Sequence, residues 1–351
     1  MRSPPGSRSS PGSQRPGASR AGFHMPMRSW AAMAADVSGK LTDFDAGITA
    51  IDADYVRPRL AASHLVVDEG RAAFVDTGTA LSLPTLLGAL EVKDIDRADV
   101  DWVLTTHVHL DHAGGAGALM QALPNARCAV HPRGARHLAE PSKLIAGSIA
   151  VYGEERYRAL YGEIVPIDKA RMLIPEDGER IVLGSRTLEL IHTPGHALHH
   201  YCVVDRDHDR VFSGDTFGLS YRDFDVDGRE FIFPTTTPVH FDPEALCNSV
   251  DRLMSYEPQA IYLTHYAEVR DLVRLSGEMK ERVRAFADLG RQHMKAPDRG
   301  QKIRNGMYAL LSRWLDEHGF PGGAKKRHWL LEDDIELNSQ GIEIWLDRGS
   351  A

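Results

Sequence analysis

Apolar positions follow two different rhythms along this chain. From Gly47 to Tyr266 they form short runs bounded by Gly, Pro, Asp and Ser, whereas beyond Tyr266 they recur at three- and four-residue spacing. Short bounded runs read as buried strands, and the longer spacing reads as amphipathic helices. HLVVDEG from His64 and RAAFVDTG from Arg71 predict two strands joined by an Asp-Glu-Gly turn. A short helix over 82–90 and a strand ending in Trp102, Val103 and Leu104 follow. Gly114, Gly115 and Gly117 read as a tight turn opening a helix to Leu123, and Ala129 to His131 read as a strand stopped by Pro132. In residues 133–165, Ser142 and Lys143 fall in an irregular stretch, while GEERYRALYGEI predicts a helix that packs through Tyr157, Leu160 and Tyr161.

The segment 179–192 predicts an antiparallel pair turning at Gly184 and Ser185, which delivers Thr193-Pro194-Gly195-His196. Residues 217–233 read as a polar loop. Asp242 is the expected cap, Pro243 the first residue and Glu244 the dipole partner of a helix running toward Tyr256. Amphipathic helices are expected over 272–294, 303–315 and 335–346, with residues 320–323 beginning a linker that exposes Lys325, Lys326 and Arg327. Three units result: an N-terminal extension (1–35), a metal-binding unit (36–270) and a helical extension (271–351).

Composition narrows the reading. Residues 1–35 carry five arginines and no acid amid repeated Pro, Gly and Ser, which predicts disorder because little apolar surface offsets the ordering entropy. That segment lacks the apolar core of a secretory signal. An organelle transit segment suits its arginines, but no amphipathic helix precedes Phe23; Met25 and Met27 are alternative starts. The formal charge of -8 gives no reason to expect nucleic acid as a partner. Cys128, Cys202 and Cys247 are too few and too scattered for a disulfide framework, and no apolar stretch is long enough to span a membrane. The expectation is a cytoplasmic protein acting on a small molecule, with a homo-oligomer as one open state.

The chemistry concentrates behind the strand at Trp102. HVHLDH packs His107, His109, Asp111 and His112 between an apolar run and a glycine turn, and imidazole with carboxylate is the donor set preferred by borderline divalent metals. This run resembles the metal-binding signature of the metallo-beta-lactamase superfamily. LELIHTPGH, VFSGD and AIYLTH resemble the later landmarks carrying His196, Asp215 and His265, and AFVDTG resembles the turn whose Asp76 orients the ligand loop without binding metal. The resemblance covers roughly residues 52–266.

That resemblance implies an α/β fold: an αβ/βα sandwich of two mixed sheets, here with a C-terminal helical extension as in glyoxalase II. It implies two divalent ions, zinc ahead of iron or manganese. His107, His109 and His196 would hold one ion and Asp111, His112 and His265 the other, with Asp215 bridging. A metal-activated hydroxide, oriented by Asp111, would attack a small acyl ester, foremost a thioester. Iron-dependent persulfide dioxygenase, lactonase, regulatory ligand-binding protein and phosphodiesterase are alternatives on the same scaffold. His200 is expected to support the ligand loop, and His131, His192, His199 and His240 to pack or hydrogen-bond near it. Lys143, Tyr221 and Arg222 are the candidate substrate contacts.

Overall fold

The computed structural model describes Met1, residues 37–236 and residues 238–349. Apart from Met1, the expected N-terminal extension lies outside the described residues. The first sheet comprises β1 (Leu41–Asp43), β2 (Ile48–Asp52), β3 (Ala62–Asp68) and β4 (Arg71–Val75). It continues after α1 (Leu83–Val92) with β5 (Val100–Thr105), and after α2 (Leu110–Ala113) and α3 (Ala116–Ala122) with β6 (Arg127–Val130). Helices α4 (Ala135–Ala139), α5 (Ser142–Tyr152) and α6 (Glu154–Tyr161) then lead to β7 (Met172–Leu173). These seven strands stand in chain order, antiparallel from β1 to β4 and parallel from β4 to β7.

The second sheet contains β8 (Glu179–Leu183), β9 (Arg186–His192), β10 (Tyr201–Asp205) and β11 (Arg210–Gly214), followed after α7 (Pro243–Met254) by β12 (Ala260–Leu263) and β13 (Ala267–Val269). All pairings in this six-stranded sheet are antiparallel except β11 with β12. Three helices close the chain: α8 (Leu272–His293), α9 (Arg299–His318) and α10 (Ala324–Gly349).

Side-chain alternation sorts these strands into layers. Ala72 and Phe74 of β4 face α1 and α3, while Ala73 and Val75 face the second sheet. Val203 of β10 and Tyr262 of β12 point inward between the sheets, whereas Cys202, Val204, Ile261 and Leu263 point outward to α7 and α8. Both faces of each sheet are therefore buried, which explains why the strands read as continuous apolar runs. The resulting order of helices, sheet, sheet and helices is the expected αβ/βα sandwich of two mixed sheets with C-terminal helices. Asp242 caps α7 by accepting from the Glu244 and Ala245 amides, with Pro243 first in the helix. The three cysteines are buried and unpaired. Among the described residues no helix is long and apolar enough to cross a membrane.

Four local expectations are corrected. Ser142 and Lys143 open the helix α5, whose half-buried Leu144, Ile145 and Ile149 give the stretch one packing side. Residues 217–233 are no polar wall: Phe217, Leu219, Tyr221, Phe224, Phe231 and Phe233 are buried in one cluster with α8, α9 and α10. Helix α10 begins well before Ile335, because Leu330 and Leu331 extend the stripe through Ile335, Ile342 and Leu346. It therefore includes Lys325, Lys326 and Arg327, and Arg327 pairs with Asp316 at 2.6 Å.

Gly117, finally, lies inside α3 rather than in a turn, and a β-carbon there would stand 1.8 Å from the Val165 carbonyl oxygen. Backbone cannot rotate away from such an atom, so Gly117→Ala is expected to destabilise the fold by at least ~1–3 kcal/mol. Gly147→Ala, in open space on α5, should instead stabilise it by up to ~1 kcal/mol. Urea unfolding of the two variants beside the parent checks both signs.

Candidate metal centre

Six strand ends converge on one edge of the sandwich. β4 leads into Asp76, β5 into Thr106, His107 and the turn of α2, β9 and β10 flank the loop of His196, β11 leads into Asp215, and β12 leads into Thr264 and His265. Close approach demands glycine at two of these places. A β-carbon on Gly195 would meet the Leu246 backbone nitrogen at 2.2 Å. One on Gly214, at φ +48°, would meet Thr106 Oγ1 at 2.6 Å and His200 Nε2 at 2.7 Å.

The donors fall into two sets, each with ligand atoms within 4.8 Å of one another: His107, His109, His196 and Asp215, and then Asp111, His112 and His265. In the first, His109 Nδ1 lies 2.8 Å from His107 Nε2 and 3.1 Å from His196 Nε2. In the second, Asp111 Oδ2 lies 3.4 Å from His265 Nε2 and 3.8 Å from His112 Nε2. Asp215 faces both: Oδ2 is 3.4 Å from His196 Nε2, and Oδ1 is 3.4 Å from His112 Nε2 and 3.7 Å from His265 Nε2. This is a dinuclear metal-binding arrangement.

Hydrogen bonds behind the donors fix which nitrogen faces inward. His112 Nδ1 donates to Asp76 at 2.8 Å, His265 Nδ1 to the Leu60 carbonyl at 2.7 Å and His196 Nδ1 to the Thr235 carbonyl at 3.3 Å. His107 Nδ1 lies 3.2 Å from Thr106 Oγ1, which donates to Asp76. His112 Nε2 and Asp215 Oδ1 are buried with no hydrogen-bond partner among the described residues. Two orphaned atoms aimed at each other across 3.4 Å, among histidines and carboxylates, suit a cation between them.

Electrostatics prepares the first set for the same use, whereas in the second set, against the effect of burial, Asp215 and Asp111 hold His112 and His265 above their ordinary range. Burial, then neighbouring histidines, push His107 well below its ordinary range, and burial and His196 take His109 down to about 3, so both offer lone pairs at neutral pH. Burial opposes ionisation of Asp111 and Asp215. The surrounding histidines outweigh it, holding Asp111 at about 2 and Asp215 well below the usual carboxylate range.

The sequence profile of the metallo-beta-lactamase superfamily matches residues 56–265. The chain belongs to that superfamily. Metallo-beta-lactamase fold-containing protein ST1585 of Sulfurisphaera tokodaii is 27% identical over 212 residues, 59% of this chain and 73% of that protein. Acyl-coenzyme A thioesterase MBLAC2 of Gallus gallus is 33% identical over 156 residues, 43% of this chain and 55% of that protein. Hydroxyacylglutathione hydrolase of Salmonella paratyphi A is 29% identical over 152 residues, 43% of this chain and 45% of that protein. The chain thus spans about half the length of these two enzymes. The crystal structure of ST1585 shares the fold with a TM-score of 0.59 at 23% identity, covering 84% of this chain and 98% of that one.

Other candidate residues of this metallo-beta-lactamase superfamily chain divide sharply. His200 holds Thr193 and Thr216 through Nδ1, and its Nε2 accepts from the Asp215 amide at 3.2 Å, so it steadies the bridging loop. His131 packs against His192 with centroids 4.2 Å apart and the rings tilted by 45°. Tyr221 is buried, its ring centroid 6.5 Å from that of His265 and its hydroxyl donating to Asp334 Oδ1 at 3.1 Å. The Arg222 guanidinium donates to the Ser220 carbonyl at 2.7 Å and pairs with Asp225 at 3.3 Å. Lys143 stands exposed on α5. The sequence reading missed Thr106 and Thr264, although each is the residue just before a strand-end histidine, a repeated Thr-His signal. It also missed Asp334, which no local pattern marks.

Asp76→Asn keeps the shape but replaces an acceptor by a donor where two hydroxyls, an amide and an imidazole all point. Metal affinity should fall about 10–100-fold while the circular dichroism spectrum is retained; competition with a chromophoric chelator measures it.

Proposed function

We propose that this chain is a dinuclear metal-dependent hydrolase of small acyl thioesters. The observation that carries the reading is Asp215, whose two oxygens face two separate donor sets. In this reading His107, His109 and His196 would hold one ion and Asp111, His112 and His265 the other, with Asp215 serving both sets, and zinc is proposed although the same donors accept iron or manganese. Two divalent ions so held supply an activated water and polarise a substrate carbonyl.

The chain's own residues do the rest. Asp111, ionised at neutral pH, orients the attacking water by accepting a hydrogen bond from it at the carboxylate. Asp76 keeps the Nδ1 proton of His112 in place, so that Nε2 faces inward throughout. Tyr221, buried beside His265, forms a rigid floor rather than a mobile contact. The thioester class is supported by the likeness to an acyl-coenzyme A thioesterase and a hydroxyacylglutathione hydrolase, and by the glyoxalase II-like succession of sandwich and C-terminal helices.

Comparative kinetics at equal metal loading, with acyl thioesters, lactones, phosphodiesters and a beta-lactam, tests the class. A thioester should lead in kcat/KM by at least about tenfold, or ~1.4 kcal/mol of transition-state preference. Any other class leading every thioester by that margin defeats the reading. At matched metal content, Asp111→Asn should lower kcat by about 10²–10⁴.

A further inference from the structure

The two flanks of the metal centre differ in charge. On the Asp111 and His265 side stand Tyr55 and Tyr161, hydroxyls 3.1 Å apart, and two helix α10 carboxyls that already have partners, Asp333 with Arg156 at 3.7 Å and Asp334 with the Tyr221 hydroxyl at 3.1 Å. On the other side, the His199 ring lies 5.5 Å from His109 and 6.1 Å from His240, with His199 Nδ1 buried and without a hydrogen-bond partner. The start of α4 lies close to this histidine: a β-carbon on Gly134 would be 3.5 Å from His199 Cβ, ordinary contact distance. Around that contact the chain places Arg133, Arg136 and His137, with Lys143 one helix later.

These cations are uncompensated. Arg133, Arg136 and Lys143 enter none of the ion pairs formed among the described residues. Glu140, the acid between them in sequence, is turned to Lys169 at 2.8 Å. Arg348 reaches the same flank from α10 and is anchored on the Val239 carbonyl at 2.6 Å. Burial and then positive neighbours lower every histidine here: Arg136 and Lys143 act on His137, and Arg348, Arg133 and His137 act on His240. In a chain of net charge -8, a cation cluster left unpaired beside a buried metal centre is a local field that attracts anions.

We propose that Arg133, His137, Lys143 and His240 form an anion-recognition surface that takes the phosphate or carboxylate groups on the thiol half of the substrate. The acyl half then faces Tyr55 and Tyr161, whose hydroxyls lie 3.1 Å apart. This assignment rests on the thioester reading for its substrate, but anion binding itself requires no turnover.

The test uses metal-loaded full chain and Arg133→Glu/Lys143→Glu, with Lys325→Glu/Lys326→Glu, at the far end of α10 from Arg348, as a control of equal charge change. Calorimetry with coenzyme A and with glutathione distinguishes phosphate from carboxylate. At least one should bind the parent and the control, and bind the first variant at least tenfold more weakly. For turnover, the first variant should raise KM for the matching charged thioester at least tenfold while leaving an uncharged N-acetylcysteamine thioester within twofold. Failure of both anions to bind the parent overturns the proposal, as does an equal loss in the two variants or for charged and uncharged thioesters. Weakened anion binding in a chain that hydrolyses no thioester upholds the surface and removes the thioester reading instead.

Discussion

The Asp76 carboxylate joins the two halves of the sandwich at the place where the metal donors meet. It accepts from the Thr106 amide and hydroxyl beyond β5, from His112 on α2 and from the Thr264 hydroxyl beyond β12 in the opposite sheet. Asp76 is wholly buried, and a buried carboxylate is tolerable only when such donors surround it. Its backbone is also held in the left-handed region, at φ 56°, which turns the side chain from the end of β4 back under the donor loop. The geometry of both donor sets depends on this one group: His112 directly, His107 through Thr106, and His265 through the adjacent Thr264.

That dependence explains how donors far apart in sequence come to lie a few ångströms apart. Layering fixes the distance between the sheets, and the inward-facing Leu104, Val203, Phe212 and Tyr262 set it. Strand ends then present their residues at one edge, and the hydrogen bonds behind each imidazole select the nitrogen that faces the centre. Outside the second sheet, residues 217–233 and α8 to α10 share one apolar cluster. Their burial brings Asp334 to Tyr221 and so connects the last helix with the wall beside His265.

Much of this was legible in the sequence, for physical reasons that differ by element. HVHLDH announced chemistry because four polar donors directly behind an apolar strand have no packing purpose, and the Asp242-Pro243-Glu244 start of α7 obeyed local capping rules. Long-range packing was illegible. Nothing in the sequence around Arg222 announced its partners Ser220 and Asp225, which are set by the fold of its own turn. The polar letters of residues 217–233 concealed a row of buried aromatic residues. Gly117 read as a turn residue because the sequence carries no trace of the Val165 carbonyl it must clear.

The central claim is that Asp215 divides its two oxygens between two ions. Anomalous diffraction from crystals of the metal-loaded chain, collected on both sides of the metal absorption edge, tests it most directly. The account predicts two peaks, one among His107, His109 and His196 beside Oδ2 and one among Asp111, His112 and His265 beside Oδ1. A single peak at full loading, or two peaks that leave Asp215 uncoordinated, would contradict it.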